Sequence, residues 1–282
     1  MNSLHTDHFP GTWLRREGVG AFIALFLLAS EFISASSSHG QVLISGTQTI
    51  SQNFNAATGQ SLPTGWRIVY AEANPVWGTS QAQTTYAASS GSPTSKGTYL
   101  WSNSQGTDKA IGVLSEKATH SSVLMQGVNT SGSALNTWTV SYSMEEYYRN
   151  NSDSWVSFFY SLDGSSWVSV SLGKQYLTGT RFNSPVGYLF NPPEVVTKAA
   201  FSFTTPDVDA SRSVYFRWDI YVAGPLSQGW GLDDVSITPS YVSVPEPSSY
   251  GLLGIAGLAG IFTICTNLFR QKTQTTGQGF TS

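Results

Sequence analysis

Two pairs of adjacent carboxylates, Glu145–Glu146 and Asp233–Asp234, are the strongest candidates for acid–base chemistry in the sequence. Glycoside hydrolysis needs two carboxyl groups, one on each side of the scissile bond. Successive side chains of a β-strand point to opposite faces, so neither pair can flank a substrate by itself. One member of each pair would have to converge on a cleft, and a glycoside hydrolase is therefore only the third hypothesis for the function.

Nucleophilic catalysis and zinc chemistry have few suitable residues. Of the four histidines, only His120 lies well inside the predicted mature domain, and we expect it on a solvated turn. The single cysteine, Cys265, falls in an apolar segment near the C-terminus. A Ser-His-Asp relay needs a positioned histidine, and zinc sites are built mainly from His and Cys. We therefore predict no catalytic residues and a protein that is not an enzyme.

Calcium is the ion that the sequence suits best, because Ca²⁺ takes six to eight oxygen ligands from carboxylates, carbonyls and water. Asp233 and Asp234 follow two glycines, and Asp207 and Asp209 lie in another predicted loop. We expect these four aspartates to be the candidate ligands. The alternative is that Asp233 forms hydrogen bonds within a turn while Asp234 faces water.

Aromatic side chains near predicted loops or strand ends could stack on a sugar. Trp77, Tyr147, Tyr148 and Trp230 are in such positions, and we take them as candidate ligand-binding residues. Five other tryptophans alternate with polar residues, and we expect them in the core. They are Trp66, Trp138, Trp155, Trp167 and Trp218.

The elements that must position these residues are predicted to be strands. Alternating patterns recur at 137–144, 155–160, 167–170, 199–204, 214–220 and 235–237. Asp163–Gly164 lies between two of them and indicates a tight hairpin, because such turns need positive φ. Short strands separated by Gly, Pro, Asn and Ser predict an all-β fold, a single jelly-roll-like β-sandwich over residues 41–240.

Composition narrows the function further. Hydrophobic residues make up 40% of the chain, which is enough for a large core, and only 11% of residues are charged. The net charge of −3 gives no basic surface of the kind that nucleic-acid binders show, so we expect no nucleic-acid partner.

The first 40 residues are typical of a secretory signal peptide. Arg15 and Arg16 precede an apolar run from Val19 to Ala29, and small residues follow it. We therefore expect an N-terminal signal helix over residues 1–40 and an exported protein.

The other end of the chain is predicted to cross a membrane. Pro245 and Pro247 prevent a helix at that point, and the next segment, 250–269, has no charged side chain. A helix of that length spans about 30 Å, the thickness of the hydrocarbon core. Arg270 and Lys272 follow and should stay in the cytoplasm. Residues 273–282 form a polar tail.

This order of Val-Pro-Glu-Pro, apolar span and basic end resembles the PEP-CTERM sorting signal, here over residues 241–272. The resemblance implies a bacterial protein that is anchored in the inner membrane with its domain outside the cytoplasm. It also implies exosortase as a partner, recognition through Pro245, Glu246, Pro247, Arg270 and Lys272, and release to the cell surface or the extracellular biofilm matrix.

The central domain resembles jelly-roll and concanavalin-like sandwiches of bacterial surface proteins. The segments that carry the resemblance are 53–55 with 62–66, 160–167 and the closing Gly-Leu-Asp-Asp-Val-Ser-Ile at 231–237. It implies a carbohydrate-binding, lectin-like module for exopolysaccharide as the second hypothesis and a glycoside hydrolase as the third. The first hypothesis is a non-catalytic surface or matrix protein sorted by exosortase.

Overall fold

Fourteen β-strands make up the regular secondary structure of residues 40–59, 61–83, 87–177 and 186–241, which are the residues that the computed structural model describes. Six strands form sheet A: β1 (Val42–Ile44), β3 (Trp66–Val69), β7 (Thr119–Asn129), β9 (Ser154–Ser161), β10 (Val168–Tyr176) and β13 (Ser213–Val222). Eight form sheet B: β2 (Ile50–Gln52), β4 (Ala87–Ser89), β5 (Gly97–Ser102), β6 (Lys109–Ser115), β8 (Leu135–Arg149), β11 (Gly187–Tyr188), β12 (Glu194–Val208) and β14 (Gln228–Tyr241).

Strand pairing is mostly antiparallel. Sheet A runs β7-β13-β9-β10, and β1 and β3 both pair with β7. Sheet B runs β8-β14-β6-β5-β4; β11 and β12 pair with β8, and β2 pairs with β14. Two short pairings, β1 with β7 and β4 with β5, are parallel.

The core lies between the two sheets and is rich in aromatic rings. Trp138 of sheet B meets Phe216 of sheet A edge to face at 5.2 Å, and Tyr142 meets Trp218 in the same manner at 6.4 Å. Such pairs contribute roughly 0.5–1.5 kcal/mol beyond the burial of apolar area. The predicted all-β sandwich is confirmed for the described residues.

The core positions of Trp66, Trp138 and Trp218 are confirmed, since each is at most 7% exposed. The same prediction is wrong for Trp155 and Trp167, which are half-buried on the outer face of sheet A. On β9, Val156 and Phe158 fill the core instead.

The turn at Asp163–Gly164 is confirmed between β9 and β10, where Gly164 has φ +74°. Asp163 Oδ1 accepts the N–H groups of Ser165 and Ser166 at 2.7 Å, and these bonds hold the pKa of Asp163 well below its usual range.

The predicted signal helix, the membrane span and the sorting residues lie outside the described residues. Within the described residues, no helix has the length and apolarity that a bilayer crossing requires.

Candidate functional site

A row of four rings crosses the outer face of sheet A at one end, and we call it the aromatic row. His120 of β7 is directly opposite Tyr221 of β13, Tyr221 is opposite Trp155 of β9, and Trp155 is opposite Tyr176 of β10. Neighbouring strands lie about 4.8 Å apart, so the row is about 14 Å long. The strand register therefore builds a continuous strip from four separate parts of the chain.

The rings of the aromatic row touch one another and remain accessible. Trp155 and His120 each lie 4.4 Å from Tyr221, and Trp155 lies 6.3 Å from Tyr176. Tyr176 is 61% exposed, and the other three rings are half-buried. The ammonium of Lys174 sits 4.8 Å from the Trp155 ring and 4.6 Å from the Tyr176 ring, which adds a cation–π contact at the outer end.

A buried polar network lies beside the row on the same face of sheet A. Asp219 Oδ2 lies 2.8 Å from His120 Nδ1, and Asp219 Oδ1 lies 3.1 Å from Arg217 Nη2. The guanidinium of Arg217 is nearly inaccessible at 2% exposure and also donates to the Ser122 hydroxyl and the Ala73 carbonyl. The carboxylate thereby fixes the orientation of the His120 ring.

His120 lies within strand β7 and not on the solvated turn that we expected. The presence of His, Asp and Ser in one network raises the question of a catalytic triad. In a triad the serine hydroxyl bonds to the histidine. Here Ser122 Oγ donates to Asp219 at 3.4 Å and accepts from Arg217 Nε at 2.9 Å. The arrangement places the hydroxyl on the carboxylate and the guanidinium, so it does not build a nucleophile.

The opposite end of the same face is covered by residues 71–80. Trp167 Nε1 donates to the Pro75 carbonyl at 2.6 Å, and Trp77 lies 5.6 Å from Tyr215. Tyr215 and Tyr221 are six residues apart on β13, or about 20 Å. Trp77, a predicted ligand residue, is therefore half-buried and separate from the aromatic row.

The other predicted aromatic ligands do not form an exposed surface. Trp230 is 1% exposed in the core and donates from Nε1 to Ser154 Oγ, and Tyr147 is fully buried on the outer side of sheet B. The expectation that they stand free to stack on a sugar is wrong. Tyr148 is half-buried and packs 4.4 Å from Tyr188.

The glycines on either side of Trp230 explain why the sequence predicts a loop position for a residue that lies in a strand. Gly229 and Gly231 suggest a loop, but both belong to β14 and leave room for the indole of Trp101. A Cβ at Gly229 would lie 3.2 Å from Trp101 Cζ2, and one at Gly231 would lie 3.3 Å from Trp101 Cδ1. Trp101 stacks in turn on Tyr147, 5.2 Å away and nearly parallel.

One member of each carboxylate pair does converge on the other. Glu145 and Asp233 come together with Asp108, and one carboxylate oxygen of each lies within 4.8 Å of the others. We call these three side chains the carboxylate cluster. Glu145 is 4% exposed and Asp233 is 1% exposed, so the two face no open cleft in which a glycosidic bond could bind. Glu146 points elsewhere and binds Arg149 at 2.7 Å.

Burial dominates the electrostatics of the cluster. It raises the pKa of Asp233 to about 8, with repulsion from Asp234, Glu145 and Asp108 adding to it and the backbone N–H of Asp234 opposing it. Burial also raises the pKa of Glu145, against the hydrogen bond that Tyr147 donates to Glu145 Oε2.

The four aspartates predicted to bind calcium do not form one site. Asp207 and Asp209 line a surface cavity with Arg212 and Tyr215, whereas Asp234 lines another cavity beside Asn53. Asp234 has φ +46° in a bulge of β14, where the pairing with β8 shifts between Asp233 and Ser236. The bulge directs the two adjacent carboxylates apart, so the four candidate ligands are not brought together. Asp108 and Glu145 were missed as partners of Asp233.

Comparison with protein families gives one match. Residues 243–265 match the model of the PEP-CTERM protein-sorting motif. The chain carries a PEP-CTERM sorting motif. The resemblance predicted from Pro245, Glu246 and Pro247 is thus confirmed, and the motif marks the chain as an exported protein sorted to the cell envelope.

Among solved structures, the chain is similar to several β-sandwich modules. TmCBM61 in complex with β-1,4-galactotriose is 10% identical, with 66% of this chain and 94% of that chain covered at a TM-score of 0.36. The CBM22-1 xylan-binding domain from Paenibacillus barcinonensis is 9% identical, with 71% and 99% covered at a TM-score of 0.37. The N-terminal cellulose-binding domain of a Cellulomonas fimi β-1,4-glucanase is 18% identical, with 66% and 95% covered at a TM-score of 0.31. Similarity at this level carries no functional argument.

No curated protein matches the sequence.

Proposed function

We propose that this PEP-CTERM protein is a non-catalytic, exosortase-processed protein of the cell surface or extracellular matrix, and that its sandwich binds polysaccharide through the aromatic row. The row is the observation that carries the proposal. Its four rings are joined across four strands, and they are accessible although burial would stabilise them. Aromatic rings that remain in a contiguous accessible strip are typical of binding surfaces.

The chemistry of the row suits a sugar chain. A pyranose ring has one face of C–H groups that can lie on an aromatic ring, and its hydroxyls need hydrogen-bond partners at the edge. Around the row, the tyrosine hydroxyls, the His120 ring and the Lys174 ammonium can donate such bonds. A strip of about 14 Å fits a short stretch of a polymer better than a single sugar.

Two polar clusters among the described residues resemble active sites, and the geometry of each supports a non-catalytic function. The Asp219 network places its serine away from the histidine. Two of the three members of the carboxylate cluster, Glu145 and Asp233, are buried below the surface. Neither offers a substrate a nucleophile or a pair of accessible carboxyl groups.

Delivery is proposed to follow from the two ends of the chain. Residues 1–40 would direct export as a signal peptide, 250–269 would anchor the protein in the inner membrane, and Arg270 with Lys272 would hold the end in the cytoplasm. Exosortase would then process the chain near Pro245–Pro247. Intact mass in a host with exosortase should show a species beginning near residue 40 and ending near 247. A membrane form that keeps the chain to Ser282 in that host would contradict this step.

The binding proposal is tested with two exposed tyrosines as a matched pair. The full chain, purified in mild detergent, is screened on a glycan array and on matrix polysaccharide. Tyr176→Ala, in the aromatic row, should weaken retention at least about tenfold, as expected for a stacking residue. Tyr241→Ala removes a ring that is 45% exposed on β14 and should bind like the wild type. If the wild-type protein retained no glycan, or if both variants bound equally, the binding proposal would be wrong.

A further inference from the structure

The carboxylate cluster joins three strands of sheet B. Asp108 directly precedes β6, Glu145 lies in β8 and Asp233 lies in β14. One oxygen from each carboxylate falls within 4.8 Å of the other two. The residues are far apart in sequence, so the register of the sheet alone brings them together.

Asp233 lacks a partner for one of its buried oxygens. The residue is 1% exposed, and Asp233 Oδ1 accepts no hydrogen bond from the described residues. Buried polar groups are nearly always bonded, and an unmatched carboxylate oxygen costs more than a neutral one. This oxygen therefore points to a ligand that completes the site.

Protein cations do not neutralise the cluster. In the described part of the chain, no lysine or arginine forms an ion pair with Asp108, Glu145 or Asp233. The adjacent Lys109 directs its ammonium away, to the carbonyls of Asn55 and Ala57, each at 3.0 Å. Three carboxylates at this spacing in a desolvated site must be compensated by bound protons or by a cation.

We infer that the carboxylate cluster binds a divalent cation of the oxygen-seeking class, with Ca²⁺ as the expected ion. Only oxygen ligands are offered, which favours Ca²⁺ or Mg²⁺ over zinc or copper. Oxygens at 2.3–2.6 Å from one Ca²⁺ lie at most about 5 Å apart, and the cluster meets this limit. Ca²⁺ accepts irregular geometry, whereas Mg²⁺ demands a near-ideal octahedron.

The half-buried Asp108 gives the ion access to solvent and leaves room for coordinating water. The bound ion would link the beginning of β6 to β8 and β14 beside the stacked rings of Trp101 and Tyr147. The site is independent of the aromatic row, which lies on the other sheet.

Terbium luminescence tests the inference directly, because Tb³⁺ occupies calcium sites and is sensitised by nearby Tyr and Trp rings. The full chain in detergent is stripped with a chelator, titrated with Tb³⁺, and then titrated with Ca²⁺. We expect a luminescence signal that Ca²⁺ displaces. We also expect Ca²⁺ at one hundred times Kd to raise Tm by roughly 5–10 °C.

Two isosteric variants locate the ion. Asp233→Asn should abolish both the terbium signal and the rise in Tm, whereas Asp234→Asn, at the next residue, should retain both. If Asp233→Asn does not fold, the wild-type titration still decides the question. A wild-type protein with no terbium signal and no change of Tm in Ca²⁺ would overturn the inference. Loss of binding in Asp234→Asn with retention in Asp233→Asn would overturn it equally.

Discussion

The buried ion pair between Arg217 and Asp219 should be essential for the stability of sheet A. Arg217→Met removes a guanidinium that is 2% exposed and leaves Asp219, which is 3% exposed, without its permanently charged partner. Breaking a buried pair on one side costs about 3–5 kcal/mol, because the remaining charge is left uncompensated. The contact between the guanidinium and the Phe159 ring, 4.7 Å from its centre, is lost as well.

Urea unfolding followed by tryptophan fluorescence measures this cost as a lower midpoint at constant m-value. Arg212→Met is the matched control, since Arg212 is exposed and its replacement should change the free energy of unfolding by at most about 0.5 kcal/mol. The double variant Arg217→Met, Asp219→Asn should lose less than the sum of the two single losses, because neither charge remains unpaired.

A free energy of unfolding for Arg217→Met within about 0.5 kcal/mol of the wild-type value would refute this reasoning. So would full additivity in the double variant, since it would mean that the two side chains do not stabilise each other.

The remaining predictions concern the core and the close packing of sheet B. Trp230→Ala should lower the free energy of unfolding by about 3–5 kcal/mol in urea unfolding, because Trp230 is a core residue. A change below about 1 kcal/mol would contradict its burial. Gly112→Ala places a Cβ 1.8 Å from the Trp230 carbonyl oxygen. The free energy of unfolding should fall by about 1–3 kcal/mol, seen as a lower Tm. Gly91→Ala, with no atom within 4 Å of its new Cβ, is the control and should melt like the wild type.

The sandwich and the sorting motif were predictable because each has a local signal. Alternation with a period of two predicts strands wherever one face is polar, as in β8 and β13. The sorting motif is linear, so Pro245, Glu246 and Pro247 can be recognised without any knowledge of the fold.

The faces of β9 could not be assigned from the pattern. Trp155 and Phe159 occupy one face and Val156 and Phe158 the other, and all four are apolar. The alternation of Trp155 with polar residues predicts a core position for it. The structure instead buries Val156 and Phe158, because their face of β9 is the one that packs against sheet B, where Phe158 meets the ring of Phe201.

The carboxylate cluster depends on register, which the sequence does not specify. Glu145 meets Asp233 only because β14 pairs with β8 through two irregularities on either side of residues 230–233. Asp108 has no feature that distinguishes it from other loop aspartates. Its role follows solely from the position of β6 beside β14.

The dissociation constant of Trp155→Ala for a polysaccharide that the wild-type chain retains tests the central claim most directly. Trp155 contacts both tyrosines of the aromatic row, so its loss should raise Kd at least about tenfold while the protein stays folded. Trp77→Ala, at the covered end of the same face, should leave Kd unchanged. An unchanged Kd for Trp155→Ala, or a greater loss for Trp77→Ala, would contradict the account.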